Sequence, residues 1–90
     1  MNSLLKSIAD LKKRNRYGVF VTSHHLLGIQ PESTRLALVS QFPERNPHEI
    51  MALMQQGHKC MVREGKQDSL VPYAARLYSQ GFQVEVLPLD

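Results

Sequence analysis

Residues 74–86 read Ala74-Ala75-Arg76-Leu77-Tyr78-Ser79-Gln80-Gly81-Phe82-Gln83-Val84-Glu85-Val86, and two different periods meet inside them. Up to Tyr78 the apolar residues recur at helical spacing, continuing a stripe that begins at Leu70 and Val71. After Gly81 they alternate, with Phe82, Val84 and Val86 set against Gln83 and Glu85. A helix stopped by glycine therefore feeds a strand, with one side on a core and the other facing out. Pro88 keeps that strand short, because it has no N–H to add to a ladder. Working back, Asp68 can cap the helix, with Pro72 in its first turn.

The next segment upstream, His58 to Arg63, reads as a strand with Cys60 and Val62 on one face, and Glu64-Gly65-Lys66 makes the turn that follows. Before it stands Asn46-Pro47-His48-Glu49. Asn46 is a good N-cap, Pro47 suits the first helical position, and Glu49 sits where a capping box wants a carboxylate. Ile50, Met51, Leu53 and Met54 then supply a buried face, and Gly57 is the stop. Pro31 opens another helix carrying Leu36, Leu38, Val39 and Phe42, which Pro43 ends. Tyr17 to Thr22 is a strand: Tyr17, Val19 and Val21 face one side, and Gly18, Phe20 and Thr22 the other. Residues 23–30 read only as a connection.

At the N-terminus Leu4, Leu5, Ile8 and Leu11 fall on one helical stripe, followed by Lys12, Lys13, Arg14 and Arg16. The predicted order is β-α-α-β-α-β, preceded by an amphipathic basic helix over residues 1–16, with one domain over 17–90. The expected class is α+β: a two-layer sandwich whose three-stranded, mainly antiparallel sheet carries helices on one face. The other face is left partly open.

Ninety residues, 42% of them apolar, suit one small domain with a thin core. No apolar run approaches the roughly 20 residues of a membrane helix, and the first residues lack the plan of a signal peptide. Cys60 is the single cysteine, so no internal disulfide forms, which fits a reducing, cytoplasmic setting. The formal charge is +3. Much of the excess is the cluster at Lys12, Lys13, Arg14 and Arg16, which can meet phosphate or an acidic protein, or simply offset a helix dipole.

The second half, from Pro47 through His48-Glu49-Ile50-Met51-Ala52-Leu53-Met54, Glu64-Gly65 and the stretch quoted first, resembles the fold shared by the C-terminal domain of the bacterial ribosomal stalk protein and the Clp-protease adaptor ClpS. The resemblance covers about Tyr17 to Leu87 and implies protein binding through exposed helix and loop surfaces. The functional residues do not carry over. Where the adaptor has an Asn-Asp pair for an α-amino group, this chain has Thr22-Ser23-His24-His25. Where the stalk protein has Gly-Leu-Lys-Glu-Ala-Lys, this chain has Asn46-Pro47-His48-Glu49-Ile50-Met51.

Reactive constellations are sparse. His24 and His25 are adjacent, and adjacent residues on an extended chain point apart, so they make a poor start to a metal site. The expectation is one histidine packed inside and one in solvent, with no metal and no cofactor. His58 and Cys60 share a strand face, yet Cys60 reads as a small buried hydrophobe. No nucleophile elbow, phosphate loop or matched carboxylate pair is present, which argues against an enzyme. Four apolar residues crowded between Ile50 and Met54 predict that at least one, Met51 or Met54, is exposed or in an interface.

The leading expectation is a non-catalytic protein-binding module or adaptor, with a homodimer through the N-terminal helix carrying Leu4, Leu5, Ile8 and Leu11 as one form. Its expected contact residues are Leu4, Ile8, Lys12, Lys13, Arg14, Arg16, His24, His25, Met51 and Met54. The alternative is a nucleic-acid- or ribosome-associated accessory protein using the basic segment, with Arg35, Arg45, Lys59, Arg63, Lys66 and Arg76 as additions.

Overall fold

A computed structural model describes residues 16–89. The expected N-terminal helix lies outside the described residues apart from Arg16, and with it Leu4, Ile8, Lys12, Lys13 and Arg14. The described elements are β1 (Tyr17–His24), α1 (Pro31–Gln41), α2 (Pro47–Gln55), β2 (Cys60–Gly65), α3 (Gln67–Ser79) and β3 (Phe82–Pro88). One antiparallel sheet has the order β2-β1-β3. β2 and β3 run the same way on either side of β1, and α3 makes the crossover between them. This is a split β-α-β unit with β1 slotted into the middle. The expected α+β architecture is therefore the one found.

Every helix buries its apolar stripe on the same side of the sheet. The core joins Val19 and Val21 of β1 to Cys60, Phe82, Leu38, Ile50, Met54, Leu70, Ala74 and Leu77. Each large aliphatic side chain removed from water there contributes roughly 1.5–3 kcal/mol. At α2, Asn46 Oδ1 accepts the His48 backbone N–H at 2.9 Å, as the Asn-Pro signal predicts. Gly57 and Gly81 end α2 and α3 with φ of +78° and +95°.

Several boundaries and faces differ from the sequence reading. In α1, Leu36 and Val39 are exposed, and the buried positions are Thr34 and Leu38. Thr34, Leu38 and Phe42 are spaced by four and share one narrow face, whereas Leu36 points almost opposite. In α3, Val71 and Tyr78 are exposed, and only Leu70, Ala74 and Leu77 are buried. Asp68 is not the cap. Because β2 runs on through Gly65, Lys66 is the one residue left to turn the chain and becomes the N-cap. Asp68 then falls in the first turn and Pro72 in the second.

β1 outlasts its predicted end by two residues. Val21 pairs with Val84, but Ser23 pairs with Gln83, so Thr22 is an extra residue in a β-bulge. A one-residue bulge resets the alternation. The side chain that reaches the core after Val21 is consequently His24 instead of Ser23. A second bulge, at Val62, lies between the Val19↔Arg63 and Phe20↔Met61 pairs of β2.

Candidate functional site

The face of the sheet opposite the helices is built by the other half of the alternation. Gly18, Phe20 and Thr22 of β1 lie there, flanked by Met61 of β2 and by Gln83, Glu85 and Leu87 of β3. The cross-strand row Met61, Phe20, Glu85 and the row Glu64, Gly18, Leu87 follow from the register. Gly18 is required by the close approach of its neighbours: a Cβ would meet Met61 Sδ at 2.8 Å and the Phe20 ring at 3.0 Å. Met61 and Phe20 thus lean over the glycine and form an apolar stripe. Met61 remains 40% exposed, while Phe20 and Leu87 are half-buried. Ion pairs frame the stripe: Arg16 with Glu64, and Lys59 with Glu85 across the central strand.

The crowded methionines of α2 do not form this surface. Met54 is a core residue, 5% exposed, and Met51 packs half-buried against the core. The expectation of exposure does not hold for Met54, whereas Met51 keeps part of its side chain at the surface. Met61, one strand later, is the exposed methionine among the described residues. The signal for it was already present in β1, since placing Val19 and Val21 inside puts Phe20 outside.

At the end of β1 the two histidines separate in role. His24 is 4% exposed. Its Nε2 lies 3.2 Å from the Gln80 carbonyl oxygen, which can only accept, so Nε2 carries the proton. Nδ1 is then the acceptor for the Thr34 hydroxyl at 2.8 Å and the Leu26 N–H at 3.3 Å. The ring is fully used and faces the Phe82 ring at 4.6 Å. His24 is therefore removed from the expected contact residues. His25 is exposed, its ring lying over Gly81, and its backbone N–H donates to the Gly81 carbonyl at 2.9 Å. A shallow cleft of about 510 Å³ opens beside it, lined by His25, Tyr78, Gln80 and Gln83 among others. Its lining contains no carboxylate and no thiol. Cys60 is buried, with its Sγ 3.5 Å from the Arg45 guanidinium. Among the described residues no three His, Cys, Asp or Glu side chains gather as a metal set.

Burial holds the His24 imidazole below its ordinary pKa of 6.5; the Gln80 carbonyl opposes this shift and His25 adds to it. Between the lowered folded value and 6.5 the unfolded chain binds a proton that the native chain refuses. This contribution to stability is complete above about pH 6.5 and declines as the pH falls through that window. The thermal midpoint should drop on acidification below about pH 6.5. A His24→Gln variant should be less stable but should lack that decline. An identical decline in both proteins, followed by circular dichroism, would assign it to other groups.

The basic residues also sort themselves. Arg16 pairs with Glu64, Arg35 with Glu32, and Lys59 with Glu85. Hydrogen bonding to Arg35 holds the Glu32 carboxyl below its ordinary range, but the pair is exposed and adds little to stability. Arg45 donates to the outward Met61 carbonyl at 2.8 Å and so covers part of the β2 edge. Arg63 and Arg76 instead approach the Tyr73 ring, at 4.7 and 5.6 Å from its centroid. No described helix is long and apolar enough to cross a membrane. Comparison with protein-family models, curated proteins and solved structures finds no match.

Proposed function

We propose that this chain is a non-catalytic, cytoplasmic protein-binding module whose docking surface is the uncovered sheet face at Phe20, Met61 and Leu87. The observation that carries the reading is the exposed Met61 thioether lying with Phe20 over Gly18. A polarizable thioether and an aromatic ring make an adaptable apolar contact. Three strands about 4.8 Å apart and five residues long give a face of about 14 by 17 Å. That suits one amphipathic helix about 10 Å across, which would lie between the two framing ion pairs. The sequence resemblance to protein-binding domains supports the same habit without supplying the partner. A lone buried thiol is consistent with a reducing compartment.

The test is affinity capture from the native cell with three baits: wild type, Met61→Glu on the sheet face and Val71→Glu on α3. Both substituted side chains are exposed and apolar, so the charge change is matched. Proteins retained by the wild type should be lost with Met61→Glu and kept with Val71→Glu. Equal retention by all three baits would remove the sheet face as the docking surface. Sedimentation with and without residues 1–15 tests separately for a homodimer made by the N-terminal segment. A mass that halves on truncation identifies self-association.

A further inference from the structure

Seven basic side chains fall within residues 16–89. Three are paired with carboxylates and Arg45 bonds the β2 edge. The remaining three are Arg63, Lys66 and Arg76. They are all exposed, and none makes an ion pair among the described residues. They are also neighbours. Tyr73 and Arg76 are three residues apart on one face of α3, Lys66 caps the start of that helix seven residues before Tyr73, and Arg63 reaches the same Tyr73 ring from β2. Asp68, two residues on from Lys66, lines the same pocket with it but makes no ion pair with it among the described residues. Glu64 lies on the other face of the sheet with Arg16.

We infer that this ridge binds the sugar-phosphate backbone of a nucleic acid, at a surface separate from the sheet face. Two guanidinium groups held against one ring, with no carboxylate between them, repel each other. An anion seated there relieves the repulsion. Arginine presents a planar fork that matches phosphate. From Lys66 to Arg76 the ridge is about 15 Å long, enough for several successive phosphates on one strand. It contains no hydrogen-bonding set arranged to read bases, so the binding is sequence-independent.

The test uses the full chain and a fluorescently labelled single-stranded RNA, with anisotropy followed as KCl is raised. Each phosphate contact contributes about 0.7 to the slope of log affinity against log salt for a single strand. Arg63→Gln with Arg76→Gln should lower the slope by about 1.4 and weaken binding at low salt. Arg63→Lys with Arg76→Lys should keep the slope, and Arg35→Gln, whose charge is already paired, should leave binding unchanged. Circular dichroism confirms that each variant folds. A slope unchanged in the double glutamine variant would overturn the inference by placing the contacts elsewhere, residues 12–16 included. Binding of polyglutamate with no binding of RNA would overturn it in favour of an acidic protein partner.

Discussion

Replacing Phe82 by alanine should lower the unfolding free energy by about 3–5 kcal/mol. Phe82 is 1% exposed and opens β3 directly opposite His24. Its ring meets His24 at 4.6 Å and Phe42 edge-on at 6.2 Å. It therefore joins the end of β1, the C-terminal end of α1 and the turn after α3. Truncation leaves a cavity between elements that are fixed by the sheet ladder and by helix packing, so the walls cannot collapse onto it. A chain of this size is stable by about 5–13 kcal/mol, so a large part of the total is at stake. Urea titration reads the effect as a fall in the midpoint at similar slope. A loss below about 1 kcal/mol would mean that Phe82 does not sit at the junction described.

Gly81→Ala should cost about 2–4 kcal/mol, and the cost should divide into two separable parts. The first is conformational, since φ at Gly81 is +95°, a region that residues with a Cβ avoid at roughly 1–2 kcal/mol. The second is steric: a Cβ at this position would fall on Nδ1 and Cε1 of the His25 ring. Gly57 provides the comparison, because its φ is +78° and nothing lies within 4 Å of a Cβ there. Gly57→Ala should show the conformational part alone. Introducing Gly81→Ala into a His25→Ala background should bring its cost down to that of Gly57→Ala. If the two glycine substitutions cost the same in the wild-type background, the His25 ring does not lie over Gly81.

The parts of this fold that could be read from sequence were those fixed by local chemistry. Asn46-Pro47, Gly57 and Gly81 mark helix ends because caps and left-handed residues act within a single turn. The alternation from Phe82 to Val86 survives because β3 has no bulge within it. What could not be read depends on partners distant in the chain. The bulge at Thr22 exists only as a mismatch between β1 and β3, and it decides that His24 is inside. Thr34 becomes a core residue because a histidine ten positions earlier accepts its hydroxyl proton. A hydrophobicity pattern would place Leu36 or Val39 inside and Thr34 outside. The sheet face was legible as a vacancy, and Phe20 and Met61 were each placed in their strands. Their meeting over Gly18 was not legible, because it needs the β1–β2 register and the bulge at Val62. The grouping of Arg63 with Arg76 around Tyr73 similarly requires β2 and α3 to be packed side by side.

One side of the sheet is packed beneath three helices, while the other is left uncovered by the described residues. Methyl NMR of the isolated monomer, with a neutral soluble paramagnetic agent added, measures this residue by residue. The Met61 ε-methyl and the Leu87 methyls should relax quickly, whereas those of Val19, Ile50 and Leu77 should be nearly untouched. A Met61 methyl as protected as that of Leu77 would show the face to be covered, and would contradict the docking surface.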